Sequence, residues 1–123
     1  ALDAMATGSH EPLMLIYKVL RQDEYRRFDR DGWTDGAPVD LADGYIHLST
    51  AQQLPGTLAK HFAGEAGLML LALDPATLTP LRWEPSRGGA LFPHLYRPMT
   101  RADIVWERPL PLGPDGHQIG EIP

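Results

Sequence analysis

Asp43-Gly44-Tyr45-Ile46-His47-Leu48-Ser49-Thr50 packs a turn, a strand and a helix start into one short stretch. Asp43-Gly44 is a turn signal, Tyr45 to Leu48 is rich in strand formers, and Ser49-Thr50 supplies hydroxyls that can cap a following helix. The stretch therefore predicts a strand-to-helix corner. Chain direction changes at such a corner, so its polar side chains can face a cleft while the rest of the strand stays buried. His47 is the functional candidate this puts forward.

Toward the C-terminus, Leu54, Leu58 and Phe62 recur every fourth residue, the buried stripe of a helix that ends at Gly64. Two starts fit that helix. Thr50 with Gln53 three residues on makes a capping box, whereas Pro55 prefers the first helical position and moves the start to about Leu54. Leu68 to Leu73 is a continuous apolar run too short for a helix of its own, so it predicts a buried strand ended by Asp74-Pro75. A turn over Pro75 to Pro80 leads to a short strand from Leu81 to Glu84. A loop from Pro85 to Ala90, a strand from Leu91 to Tyr96 and a last alternating strand from Ile104 to Arg108 follow. From Pro109 on, prolines and glycines predict a wrapping arm without helix.

Toward the N-terminus, Trp33 to Asp43 is a loop punctuated by Gly36 and Pro38, long enough to act as a lid. Its Asp35, Asp40 and Asp43 lack the glycine and terminal glutamate of a calcium loop. Gln22 to Arg30 is a short amphipathic helix, with acids in its first turn, arginines toward its end, and Tyr25 and Phe28 at helical spacing. Leu13 to Leu20 predicts a central strand interrupted by one charge, Lys18. That lysine has two readings: a strand-edge residue with its stem packed and its head in water, or, with Tyr17, a pocket residue. Residues 1–12 have no period, and Gly8-Ser9-His10 resembles the scar of a cleaved purification tag, so a disordered N-terminus outside the fold is expected there. The remainder, 13–123, predicts one α+β domain, a mixed and mostly antiparallel sheet of about six strands with two main helices.

At 123 residues the chain can build one core without metals or disulfides. The absence of cysteine excludes thiol catalysis and zinc–thiolate sites and suits a reducing cytoplasm. A net charge of −5 argues against general binding to nucleic acid or anionic membranes. No apolar run reaches the roughly 20 residues of a membrane span. A cytoplasmic protein with neither nucleic-acid nor membrane partner is the expectation. The cations are mostly arginine, with Lys18 and Lys60 the only lysines, and arginine is the better bidentate partner for carboxylate or phosphate. That points to an anionic small ligand.

His47 and His94 each sit inside an apolar strand, where a histidine is costly unless hydrogen-bonded or solvated at a cleft. With Glu84 and the hydroxyls of Ser49 and Thr50 they could form an acid–base site, or each could satisfy a backbone group. A metal site from His47, His94 and Glu84 lacks any ligand spacing, and no metal is assigned. Ser86-Arg87-Gly88-Gly89 is either a hairpin-like turn or a phosphate cradle with Arg87 as its anion contact; it lacks the Lys-Ser/Thr of a P-loop. Neither Ser49 nor Ser86 sits in a nucleophile elbow, which argues against a serine-hydrolase triad. Trp83 and Phe92 are aromatic strand residues of the kind that fill cores.

Three stretches, Leu15 to Leu20, Asp43 to Thr50 and Leu81 to Tyr96, together resemble a bacterial and plant family catalogued as domain of unknown function 952. The resemblance runs from Leu15 to about Gly116 and implies no established activity. It implies the ADP-ribosylation fold, an ADP-ribosyltransferase-like domain whose split sheet grips the nicotinamide end of NAD in the active relatives. The transferase pattern places a His or Arg on the first strand, where this chain has Tyr17 and Lys18, and a Tyr or Ser-Thr on the second, where Gly44 to Thr50 matches best. On the late strand it has a glutamate, where this chain brings His94. Neutral imidazole supplies no charge to an oxocarbenium-like centre. Either Glu84 or Glu107 takes that part, or the cleft has changed its chemistry. The resemblance thus implies a protein that acts on or binds NAD or another nucleotide-like ligand. His47, His94 and Glu84 would be catalytic, and Tyr17, Lys18, Ser49, Thr50 and Arg87 would be ligand contacts. The alternatives are a non-catalytic ligand-binding module and a metal-dependent hydrolase.

Overall fold

Strand β1 (Ile16–Leu20) is buried along its whole length and is followed at once by helix α1 (Gln22–Asp31) in the computed structural model, which describes residues 14–122. The expectation for residues 1–12 lies outside the described residues, as does Leu13. Helix α1 starts where Glu24 reaches back to accept from the Arg21 backbone N–H (2.8 Å), and it stops at Gly32, whose φ of 80° lets its N–H close on the Phe28 carbonyl. Two short strands frame the next element: β2 (Trp33–Thr34) precedes, and β3 (Ile46–His47) follows, a helix, α2 (Pro38–Asp43). That helix corrects the reading of Trp33 to Asp43 as a loop. Pro38 stands in its first turn, the Asp40 carboxylate caps the Ala37 N–H, and Gly44 (φ 87°) ends it. These cues are each common in loops, and six residues show no hydrophobic period to distinguish them.

Next come β4 (Ser49–Thr50), helix α3 (Leu54–His61) and β5 (Leu68–Leu73). Of the two expected helix starts, the later one is realised, after a capped turn. Thr50 and Gln53 exchange capping hydrogen bonds (3.0 and 3.1 Å), and the helix proper begins at Leu54 with Pro55 in its first turn. The remaining strands are β6 (Leu81–Pro85), β7 (Leu91–Leu95), β8 (Met99–Thr100), β9 (Ile104–Leu110), β10 (Leu112–Gly113) and β11 (Gly116–His117). The last two pair with each other, so the arm after Pro109 carries a small hairpin.

The described strands form a four-stranded sheet, β4-β1-β5-β9, a three-stranded sheet, β3-β7-β6, and two strand pairs, β2-β8 and β10-β11. Every pairing is antiparallel, so the fold is α+β and antiparallel, with separate sheets and three helices in place of one mixed sheet and two. The central strands of the four-stranded sheet, β1 and β5, are apolar on both faces apart from Lys18. Tyr17, Val19, Leu70 and Ala72 pack against Leu54 and Leu58 of α3, while Ile16, Leu20, Leu71 and Leu73 pack against Phe28 of α1 and against Ile46, Leu48 and Leu95 of the other sheet.

One segment joins the two sheets. Ile46 and His47 pair with β7, the Leu48 N–H still donates to Pro93, and then Ser49 and Thr50 pair with β1. The chain thus crosses from one sheet to the other at Leu48, and β4 covers β1 only at Ile16 and Tyr17. A cleft of about 590 Å³ opens beside this crossing.

Candidate functional site

The three-stranded sheet has two unlike faces, as strand periodicity requires. Leu81, Ile46, Leu48 and Leu95 point into the core. On the alternate positions, Tyr45 and His47, Arg82 and Glu84, and Phe92, His94 and Tyr96 share the opposite face. His47 lies directly across from His94. The backbone N–H and carbonyl of His47 bond to Asp40 and Lys18, away from β7, so the pair is the non-hydrogen-bonded kind in which side chains approach most closely. The two rings meet edge-on at 5.3 Å.

Strand β3 is an edge, and its exposed groups need partners. Asp40 Oδ1 accepts from the His47 N–H (3.0 Å), and Lys18 Nζ donates to the His47 carbonyl (3.1 Å). These two side chains pair with each other at 2.7 Å, both buried. The ion pair therefore stands where a neighbouring strand would be. Lys18 lies beneath the surface, which corrects the reading that put its head in water. A lysine in the middle of a buried strand requires an anion, and Asp40 supplies it from 22 residues away. Asp40 also accepts from the Ala37 N–H (2.7 Å) and contacts His47 Nδ1 (2.6 Å). Burial pushes its carboxyl upward, but the hydrogen bonds from His47 and the charge and hydrogen bond of Lys18 outweigh that and hold it at about 2. A side chain at Gly36 would collide with this carboxylate, and Gly36 has φ of 104°. His47 Nε2 faces Asp43 at 2.9 Å, so carboxylates flank both ring nitrogens.

His94 is held differently. Its ring is 2 % exposed. Nδ1 meets Glu84 Oε1 at 2.8 Å, and the Tyr96 hydroxyl donates to the same oxygen at 2.7 Å. The hydrogen bond from Tyr96, then that from His94, lowers the Glu84 carboxyl from its ordinary range. A carboxylate on Nδ1 selects the tautomer with its proton there, leaving a lone pair on Nε2. Nε2 is buried and has no hydrogen-bond partner among the described residues. The Tyr45 ring stacks on His94 at 4.1 Å and touches Tyr96 and His47 at 5.1 and 4.6 Å. Burial raises the Tyr45 hydroxyl, so it stays neutral.

His47 and His94 both line the cleft, together with Tyr17, Lys18, Ser49 and Phe92. Glu84 stands behind His94 and reaches the cleft only through it. Thr50 is not part of the lining, and its hydroxyl accepts from the Gln53 N–H in the capping turn. The Tyr17 ring packs against Trp106 at 5.8 Å, and the Ser49 hydroxyl meets that of Thr57 at 2.8 Å. The Arg87 side chain lies outside the described residues. Glu107 is elsewhere, bonded to Tyr25 and Arg101. Among the described residues no group of three or more His, Asp or Glu side chains is arranged to hold a metal ion, and no helix is long and apolar enough to cross a membrane. Sequence reasoning missed Asp40, Asp43 and Tyr45. The signals for them were the buried lysine's need for an anion and the period-two partnership of Tyr45 with His47.

A family model described as "Protein of unknown function (DUF952)" matches residues 19–107. Among solved structures, the crystal structure of protein CC0527 from Caulobacter crescentus is similar at 48 % identity and a TM-score of 0.81, covering 85 % of this chain and 94 % of that one. The solution NMR structure of the same protein matches at 48 % identity and a TM-score of 0.75, covering 84 % and 90 %. No curated protein matches.

Proposed function

The chain belongs to the family described as protein of unknown function DUF952, and from that premise and the geometry of the cleft we propose that it is an acid–base enzyme acting on a nucleotide-like small molecule. The observation that carries this reading is His94 Nε2, buried and unpartnered while Glu84 fixes the other ring nitrogen. Burying an imidazole lone pair without a donor costs about 1–3 kcal/mol, a cost that a binding event at that atom would recover. Nε2 takes a proton from a ligand hydroxyl or an attacking water, and Glu84 stabilises the imidazolium that forms. His47 is the complementary group. Asp43, its half-exposed partner, can give way to a ligand oxygen, leaving His47 Nε2–H as a donor beside the base.

The cleft volume of about 590 Å³ lies in the range of small-molecule sites, and its Phe92 wall suits a planar base. NAD falls within this ligand class, but transfer of its ADP-ribose does not follow. The late-strand carboxylate Glu84 is turned to His94 and Tyr96, so it is not presented to an oxocarbenium-like centre in the cleft.

The test is a mass-spectrometric turnover screen against nucleotides, NAD and NAD fragments, run on the wild type and on His94→Gln. Turnover by the wild type that falls at least about 100-fold in the variant supports the base assignment. Undiminished turnover in His94→Gln, or rapid nicotinamide release from NAD, contradicts it. A ligand that raises Tm without being consumed favours the binding-module reading instead.

A further inference from the structure

We infer that the α3 wall of the cleft is a phosphate subsite with Lys60 as its charged contact. The inference rests on the reading of the cleft as an active site and names where the ligand's anionic group sits. Helix α3 has two faces. Leu54 and Leu58, four apart, enter the core, whereas Thr57, Lys60 and His61, at i, i+3 and i+4, all line the cleft. The last turn of a helix favours cations through its dipole, but the dipole does not select the side on which they stand.

Charge pairing singles out Lys60. The formally charged groups that line the cleft are Lys18, Arg21, Lys60 and Asp43. Lys18 is neutralised by Asp40, Arg21 by Glu65 at 2.8 Å, and Asp43 faces His47. Among the described residues Lys60 alone of these has no opposite charge beside it. In a chain of net charge −5, the one unmatched charge at the cleft among the described residues is positive. The Ser49 and Thr57 hydroxyls, bonded to each other, line the same cleft. A tetrahedral dianion offers an ammonium group more charge and more acceptor oxygens than a carboxylate does.

Inorganic phosphate is the probe. It is titrated into ¹⁵N-labelled protein at constant ionic strength, with chloride and acetate as the comparison anions, while the amides of Ser49 and Thr57 to His61 are followed. Saturable shifts confined to that wall are expected with phosphate. Affinity falls about tenfold in Lys60→Gln and returns in Lys60→Arg. Equal shifts with chloride or acetate, or unaltered affinity in Lys60→Gln, overturn the subsite. The His94 base reading is decided separately by turnover, so either can fail alone.

Discussion

The two larger sheets are built from the same alternation and put it to different ends. In β1 and β5, the central strands of the four-stranded sheet, both sets of alternate residues are apolar, one set facing α3 and the other facing α1 and the second sheet. The single charged intruder in those two strands, Lys18, is neutralised within the protein. In the three-stranded sheet only one set is apolar, and the other gathers two histidines, a glutamate, an arginine and three aromatic rings. The first sheet is held by burial. The second depends on the first for its core, and its polar face is left free to carry chemistry. Lys18 and Asp40 tie the two together at the strand crossing, so they belong to the scaffold even though Lys18 lines the cleft.

The comparison breaks most sharply at that tie. Lys18→Met leaves Asp40 buried and without its counter-charge, and should cost about 3–5 kcal/mol in a urea melt. Adding Asp40→Leu should not restore stability, because the Ala37 and His47 N–H groups then lose their acceptor. Full recovery in the double variant would show that the pair is dispensable to the crossing.

Next in size is the apolar control. Leu58→Ala, on the buried face of α3, should cost about 2–5 kcal/mol through lost transfer energy and a cavity, with the chemistry of the polar face unchanged in whatever fraction stays folded.

Asp40 gives a third test, read through pH. Its folded value of about 2 lies below the ordinary 3.8, so its contribution is complete above about pH 4 and is lost as pH falls through about 2. A shift of that size corresponds to about 2 kcal/mol. The stability difference between wild type and Asp40→Asn should therefore shrink across that window. A difference that stays constant down to pH 2 would remove the charge from the account.

The smallest stability effect belongs to the polar face itself. His94→Gln should cost only about 1 kcal/mol, since the sheet beneath it is held by the apolar set. A loss matching that of Leu58→Ala would make His94 a core residue and erase the contrast between the sheets.

Much of the first sheet was legible in the sequence, because a run such as Leu68 to Leu73 carries its own burial and its bounds match β5 residue for residue. Helix α1 was legible for the same reason: its period and its glycine stop are local. The crossing at Leu48 was not. Tyr45 to Leu48 reads as one strand and Ser49-Thr50 as the cap of a helix, and only pairing with residues far along the chain divides the stretch between two sheets. His47, His94 and Glu84 could be nominated one at a time, as polar residues in apolar strands. Their convergence depends on register, and the role of Asp40 depends on a lysine 22 positions earlier. Ser49 was nominated with Thr50, yet only Ser49 reaches the cleft, because strand alternation sends neighbours to opposite sides.

The central claim is that Glu84 holds His94 with its proton on Nδ1, leaving Nε2 as a base. Long-range ¹H–¹⁵N correlation of the imidazole nitrogens tests this directly in the ligand-free protein. The account predicts a protonated Nδ1 and a bare Nε2 for His94, with that preference weakened in Glu84→Gln. A proton on Nε2 with Nδ1 bare would contradict it.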